Sequence, residues 1–127
     1  MAIILIVEDN EVLCRMYQRL LQNYGHYVPI GLNGEEGLKL ALEEHPDLIL
    51  LDIRMPKMDG MSMLKLLRKD AWGAGVPVVI LTNLEPNAKD LKEVVGDNPP
   101  YYIIKSNIEP AQLLERIKYI LKSTKQK

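Results

Sequence analysis

Five short apolar runs alternate along the chain with five stretches of helical periodicity. The runs are Ala2–Val7, Tyr27–Leu32, Asp47–Leu51, Val76–Leu81 and Tyr101–Ile104. Segments such as Leu48-Ile49-Leu50-Leu51 and Val78-Val79-Ile80-Leu81 are continuously hydrophobic. A strand wetted on one face would alternate instead, so these runs predict strands covered on both faces, as in a parallel sheet.

The helical stretches carry their own punctuation. The first places Leu13, Met16, Tyr17, Leu20, Leu21 and Tyr24 at three- and four-residue spacing and stops at Gly25. The second opens at Asn33, with Glu36 three residues on, in the pattern of a capping box, and Pro46 follows its end. The third is predicted from about Asp59 to Ala71, with Met63, Leu64, Leu66 and Leu67 as its apolar positions. The fourth is short, between Pro86 and Gly96, and its apolar side is thin: Leu91, Val94 and Val95. The fifth has Pro110 in its first turn, then Leu113, Leu114, Ile117, Ile120 and Leu121 along one side. The polar tail from Ser123 to Lys127 is expected to fray, or to begin a linker, after one domain spanning residues 1–122.

Strict βα alternation predicts an α/β fold with right-handed crossovers and helices on both faces of the sheet. For five strands the doubly wound, flavodoxin-like order 2-1-3-4-5 is expected. Strands one and three are then neighbours whose crossovers leave in opposite directions, and ligands bind outside their C-terminal ends. Chemistry is therefore expected just after Val7 and just after Leu51.

Acidic residues stand at both places: Glu8-Asp9 after the first strand and Asp52 after the third. At ~4 Å and an effective dielectric of ~20, two like charges repel by roughly 4 kcal/mol. A cluster of that kind needs cations, and an all-oxygen ligand set suits Mg²⁺ or Mn²⁺. Strand-end acids can also be solvated or can cap a helix, and either Asp9 or Asn10 could cap the first one. Thr82 ends the fourth strand and Lys105 the fifth. Taken singly, Thr82 is an ordinary strand residue and Lys105 an ordinary surface lysine. Beside the carboxylates, a divalent cation and Lys105 would together neutralise the cluster.

Composition narrows the function classes. Apolar residues make up 47% and charged residues 26% of the 127, the balance of a soluble globular domain. A net charge of −1 argues against direct nucleic-acid binding. No apolar run approaches the ~20 residues of a bilayer span. The N-terminus lacks the features of a signal peptide, so the expected compartment is the cytoplasm. Single Cys14 excludes an intramolecular disulfide and is read as a small packing residue.

The segments Ile4-Leu5-Ile6-Val7-Glu8-Asp9-Asn10, Asp47 through Asp52 to Met55-Pro56 and Asp59-Gly60, Val78 to Asn83, and Tyr102-Ile103-Ile104-Lys105 resemble the receiver domains of two-component response regulators, as in single-domain chemotaxis regulators. The likeness extends to about Leu121. It implies that Asp52 accepts a phosphoryl group from a histidine kinase, a phosphotransfer protein or a small acyl phosphate. It implies that Asp9, Asp52 and the Arg54 backbone carbonyl ligate Mg²⁺, with Glu8 holding a water on the ion. Lys105 would bind a phosphoryl oxygen, and Thr82 would hydrogen-bond the aspartyl phosphate. Tyr102, otherwise a plain core aromatic, would be the rotating switch residue. The signal would then pass through the face of the fourth helix, fifth strand and fifth helix to an effector or output domain, with dimerisation through that face a further implication. Such a protein is a signalling phosphoacceptor, catalysing only its own phosphorylation and dephosphorylation.

The chain departs from the family at Ser106, where proline usually follows the lysine, and at Asn83, where a small residue is commoner. Arg54 and Leu84, each two residues beyond a site residue, would flank the phosphate. Three other readings share parts of the pattern: a receiver-like fold that binds partners without phosphorylation, a flavodoxin-type cofactor binder, and a metal-dependent phosphohydrolase. The second would want Gly, Ser and Thr where Glu8-Asp9-Asn10-Glu11 stand, and the third a second Asp two residues after Asp52.

Overall fold

The computed structural model describes residues 1–53, 58–82, 102–104 and 109–125. Its strands are β1 (Ile4–Val7), β2 (Ile30–Gly31), β3 (Leu48–Asp52), β4 (Val78–Thr82) and β5 (Tyr102–Ile104). Its helices are α1 (Glu11–Gln22), α2 (Gly34–Glu44), α3 (Gly60–Lys69) and the C-terminal α4 (Pro110–Lys125). The helix expected between Pro86 and Gly96 lies outside the described residues, so α4 is the helix read as fifth from the sequence.

All strand pairs are parallel, and the sheet runs β2-β1-β3-β4-β5. Ile4 and Ile6 face one side, where with Leu48, Leu50, Val79 and Leu81 they meet α1 and α4. Leu5 and Val7 face the other, where with Ile49, Leu51 and Ile80 they meet α2 and α3. Helices thus cover both faces, which is why the strand sequences are continuously apolar. Full burial of each such Leu, Ile or Val contributes on the order of 1.5–3 kcal/mol.

The second strand is much shorter than the apolar run that predicted it. Tyr27 makes an isolated bridge to Ile3, and regular pairing resumes only at Ile30. The carbonyls of Tyr27 and Pro29 still accept from Ile4 and Ile6 at 2.9 and 3.0 Å. Where the ladder next needs a donor from β2, Pro29 has no N–H, and the strand is split there.

The helix ends follow side-chain chemistry. Asn10, not Asp9, caps α1, its side-chain oxygen accepting from the Leu13 N–H at 3.1 Å. Asn33 caps α2, accepting from the Glu36 N–H at 2.9 Å while its own amide donates to the Glu36 carboxylate at 3.0 Å. That helix closes on His45 in the left-handed region (φ 47°), whose ring stacks on Trp72 at 4.3 Å between centroids. Helix α3 stops at Lys69, short of the expected Ala71, because the Asp70 carboxylate accepts from the Trp72 and Gly73 N–H groups and pulls the chain into a turn. Helix α4, by contrast, runs on through Lys125, where a fraying tail was expected from Ser123.

Three apolar positions of the helical pattern are exposed: Met16 at 47%, Tyr24 at 55% and Leu66 at 42%. Met16 lines an open groove between α1 and the start of α4, with Leu20, Arg19 and Pro110. Tyr24 lies past the end of α1, under the Lys118 ammonium at 5.0 Å. Periodicity marks the sides of a helix, but only the neighbouring elements decide how much of each side is covered.

Candidate functional site

The C-terminal ends of β1 and β3 are adjacent, with Val7 paired to Leu51. The residues that leave them, Glu8-Asp9 and Asp52, therefore converge, and one carboxylate oxygen from each lies within 4.8 Å of the others. Glu8 and Asp52 are buried, at 1% and 6% exposure, while Asp9 faces solvent. The crevice predicted from strand order is thus occupied by the three acidic side chains.

Local bonding fixes each of them. The Glu8 N–H donates to the Gly31 carbonyl at 3.0 Å, and the Glu8 carboxylate accepts from the Asn10 N–H at 3.1 Å. Asn10 in turn caps α1, which leaves the Asp9 side chain to the crevice rather than to the helix. Asp52 is the last residue of β3, paired with Leu81 of β4. Behind it, the Gly60 N–H donates to the Ile53 carbonyl at 2.8 Å. A Cβ at Gly60 would stand 2.2 Å from the Asp52 carbonyl oxygen, so only glycine allows α3 to begin this close to the strand end.

Three carboxylates within 4.8 Å are a strained charge distribution. At that separation and a dielectric near 20, each ionised pair costs about 3–4 kcal/mol. The donor set answers the question of which cation would relieve it. Carboxylate oxygens alone, one of them open to water, match a hard divalent ion and offer nothing to a soft one. Among the described residues this is the one group of three or more such side chains placed to hold a metal ion.

The electrostatic influence of the site reaches α1. Cys14, free and fully buried, has its thiol pushed up to about 12, first by burial and then by the negative charge of Glu8. It is an inert packing residue, as its position in the helical pattern implied.

Of the other expected site residues, Thr82 ends β4 and pairs with Ile104, and Tyr102 opens β5 opposite Ile80. Lys105 follows β5 directly in sequence but, like Arg54, Asn83, Leu84 and Ser106, lies outside the described residues. Two contacts near the site had no sequence signal that pattern reading could use. They are the approach of Gly60 to Asp52 and the hydrogen bond from the Gly34 N–H to the Met58 carbonyl at 2.9 Å.

Comparison with known proteins agrees with this geometry. Residues 4–118 match the family model of the response regulator receiver domain. The chain belongs to the response-regulator receiver family. Among its relatives is the probable transcriptional regulator ycf27 of Guillardia theta, 34% identical over 123 residues, which cover 95% of this chain and 46% of that protein. Another is PilH of Pseudomonas aeruginosa, 40% identical over 82 residues, covering 65% of this chain and 68% of that protein. The receiver spans under half the length of the ycf27 proteins it matches. Among solved structures, a CheY-like receiver domain protein from Methanospirillum hungatei superposes with a TM-score of 0.87 at 27% identity, over 99% of this chain and 98% of that one. The chain is therefore a receiver domain of two-component signalling with a flavodoxin-like fold. No helix among the described residues is long and apolar enough to cross a membrane.

Proposed function

We propose that this receiver takes a phosphoryl group onto Asp52 with Mg²⁺ or Mn²⁺ bound beside it, and passes the signal on by a change of surface. The observation that carries the reading is the convergence of Glu8, Asp9 and Asp52 at the mouth between β1 and β3. Asp9, Asp52 and the Arg54 backbone carbonyl would hold the ion, with Glu8 helping to fix it. The cation's contribution would be charge neutralisation, which would let a dianionic phosphoryl group approach an acidic crevice.

The rest of the work falls to the chain. An Asp52 carboxylate oxygen attacks phosphorus in line with the departing group, an imidazole nitrogen of a phosphohistidine or the carboxylate of an acyl phosphate. The bond to that group breaks as the new acyl phosphate bond forms. Little covalent help is needed in such a transfer, and positioning with electrostatic stabilisation supplies the catalysis. Lys105 would bind one phosphoryl oxygen, and the Thr82 hydroxyl would donate to another. Movement of Thr82, coupled to Tyr102, would bias the surface made by the predicted fourth helix, β5 and α4, where an effector, an output domain or a second copy would read it. Residues 1–122, with the doubly wound five-stranded sheet as their frame, make up the proposed receiver domain. A donor histidine kinase or phosphotransfer protein in the cytoplasm completes the proposed circuit.

The test is direct. After incubation with Mg²⁺ and acetyl phosphate, the intact mass of the wild-type chain should rise by one phosphoryl group, and that of Asp52→Asn should not. A wild type that gains no adduct, with its NMR spectrum also unmoved by beryllofluoride, would exclude the phospho-receiver reading. An adduct that persists in Asp52→Asn would move the acceptor elsewhere.

A further inference from the structure

The N-terminus of α2 is tied to the far end of the segment that leaves Asp52. Gly34, the first residue of the helix, cannot give its N–H to an intrahelical carbonyl, and it donates instead to the Met58 carbonyl at 2.9 Å. The approach is too close for any other residue. A Cβ at Gly34 would lie 2.3 Å from the Met58 oxygen and 2.9 Å from both the Met58 carbonyl carbon and Cβ.

What Met58 leads to makes this more than a packing detail. Asp59 follows it and caps α3, accepting from the Ser62 N–H at 2.8 Å. Gly60 follows that, bonded to Ile53 and seated against the Asp52 carbonyl. Residues 58–60 therefore have two anchors, one at Ile53 just past the end of β3 and one on α2. The α2 anchor is rigid, because buried Asn33 locks that helix start through two hydrogen bonds with Glu36. Arg54, whose carbonyl is a proposed ligand, lies in sequence between Asp52 and Met58.

We propose that Gly34 is a positioning residue for the acidic site: through the Met58 carbonyl it holds the start of α3 against Asp52, so that the cation site is set in advance of binding. This rests on the reading of Asp52 as a metal-assisted phosphoacceptor. A side chain at Gly34 would push Met58, and with it the start of α3, away from Asp52.

Mg²⁺ binding to the full chain, followed by calorimetry and amide chemical shifts, tests it without reference to phosphorylation. Gly34→Ala should raise the dissociation constant roughly tenfold, as loss of an outer support of a metal site does. Arg68→Ala, which weakens the loop at the opposite end of the sheet, should leave it unchanged. Equal affinity in wild type and Gly34→Ala overturns the inference, and so does a matching loss in Arg68→Ala, since general destabilisation would then suffice. If Gly34→Ala does not fold, hydrogen exchange of the Gly34 amide in the wild type decides. Linkage requires Mg²⁺ to slow it several-fold if that bond supports the site, and exchange that is unaffected at saturating Mg²⁺ overturns the proposal. A wild type that binds no Mg²⁺ and forms no adduct instead removes the underlying phosphoacceptor reading.

Discussion

At the scale of single residues, burial and charge pull in different directions, and each can be read out. Relieving carboxylate repulsion should make Asp52→Asn more stable than wild type in metal-free urea denaturation, by about 1–2 kcal/mol after solvent screening at Asp9. Millimolar Mg²⁺ should shrink that advantage, because the wild type then gains the binding energy and the variant largely does not. Cys14 gives a pH signature of defined sign. Its folded thiol sits at about 12 against an ordinary 9.0, so the folded state holds its proton longer than the unfolded one. The stability it contributes is complete below pH 9 and is lost as pH rises towards 12. Between pH 9 and 10.5 the wild type should therefore lose about 2 kcal/mol more than Cys14→Ala does, measured by denaturation at each pH. The same thiol should resist iodoacetamide until the protein unfolds.

Elements are held by a few polar contacts at their ends. Arg68 donates from one guanidinium nitrogen to the Gly73 and Val76 carbonyls at 2.8 and 2.7 Å, pinning the loop between α3 and β4. Its pKa is lowered by burial of the head group, yet it remains charged at any ordinary pH. Arg68→Ala should cost about 1–2 kcal/mol by loss of charge-assisted bonds, seen as a lower urea midpoint with unchanged slope. Asn33→Ala should cost a similar 1–2 kcal/mol, since it removes both the α2 cap and the partner of Glu36. By braking the start of α2 less firmly, it should also weaken Mg²⁺ binding, though less than Gly34→Ala does. Capping of this kind was visible in the residue types at Asn33 with Glu36, which stand in the pattern of a capping box. The choice of Asn10 over Asp9 at α1 was not, because both side chains can cap and only the crevice claims one of them.

For the whole molecule, the sheet is the frame and its two faces are separate cores. Leu50 is fully buried on the α1–α4 side and Leu51 on the α2–α3 side. Leu50→Ala should cost about 3 kcal/mol, a large share of the roughly 5–15 kcal/mol by which a domain of this size is stable. It should do so without changing the Mg²⁺ affinity of the molecules that remain folded, which separates core from site in one titration.

The sequence by itself determined the βα alternation, the two-sided burial of the central strands and the gathering of Glu8, Asp9 and Asp52 near one another. Those follow from hydrophobic period and from the rule that parallel doubly wound sheets open a crevice where the strand order reverses. Tertiary structure alone decided which apolar helix positions are covered, where the second strand breaks at Pro29, and how α2 reaches across to brace the chain behind Asp52. Each of these depends on backbone atoms far apart in sequence coming within hydrogen-bond or van der Waals distance. A linear pattern carries the identity of Gly34 and Gly60, but not the carbonyl that each must fit against.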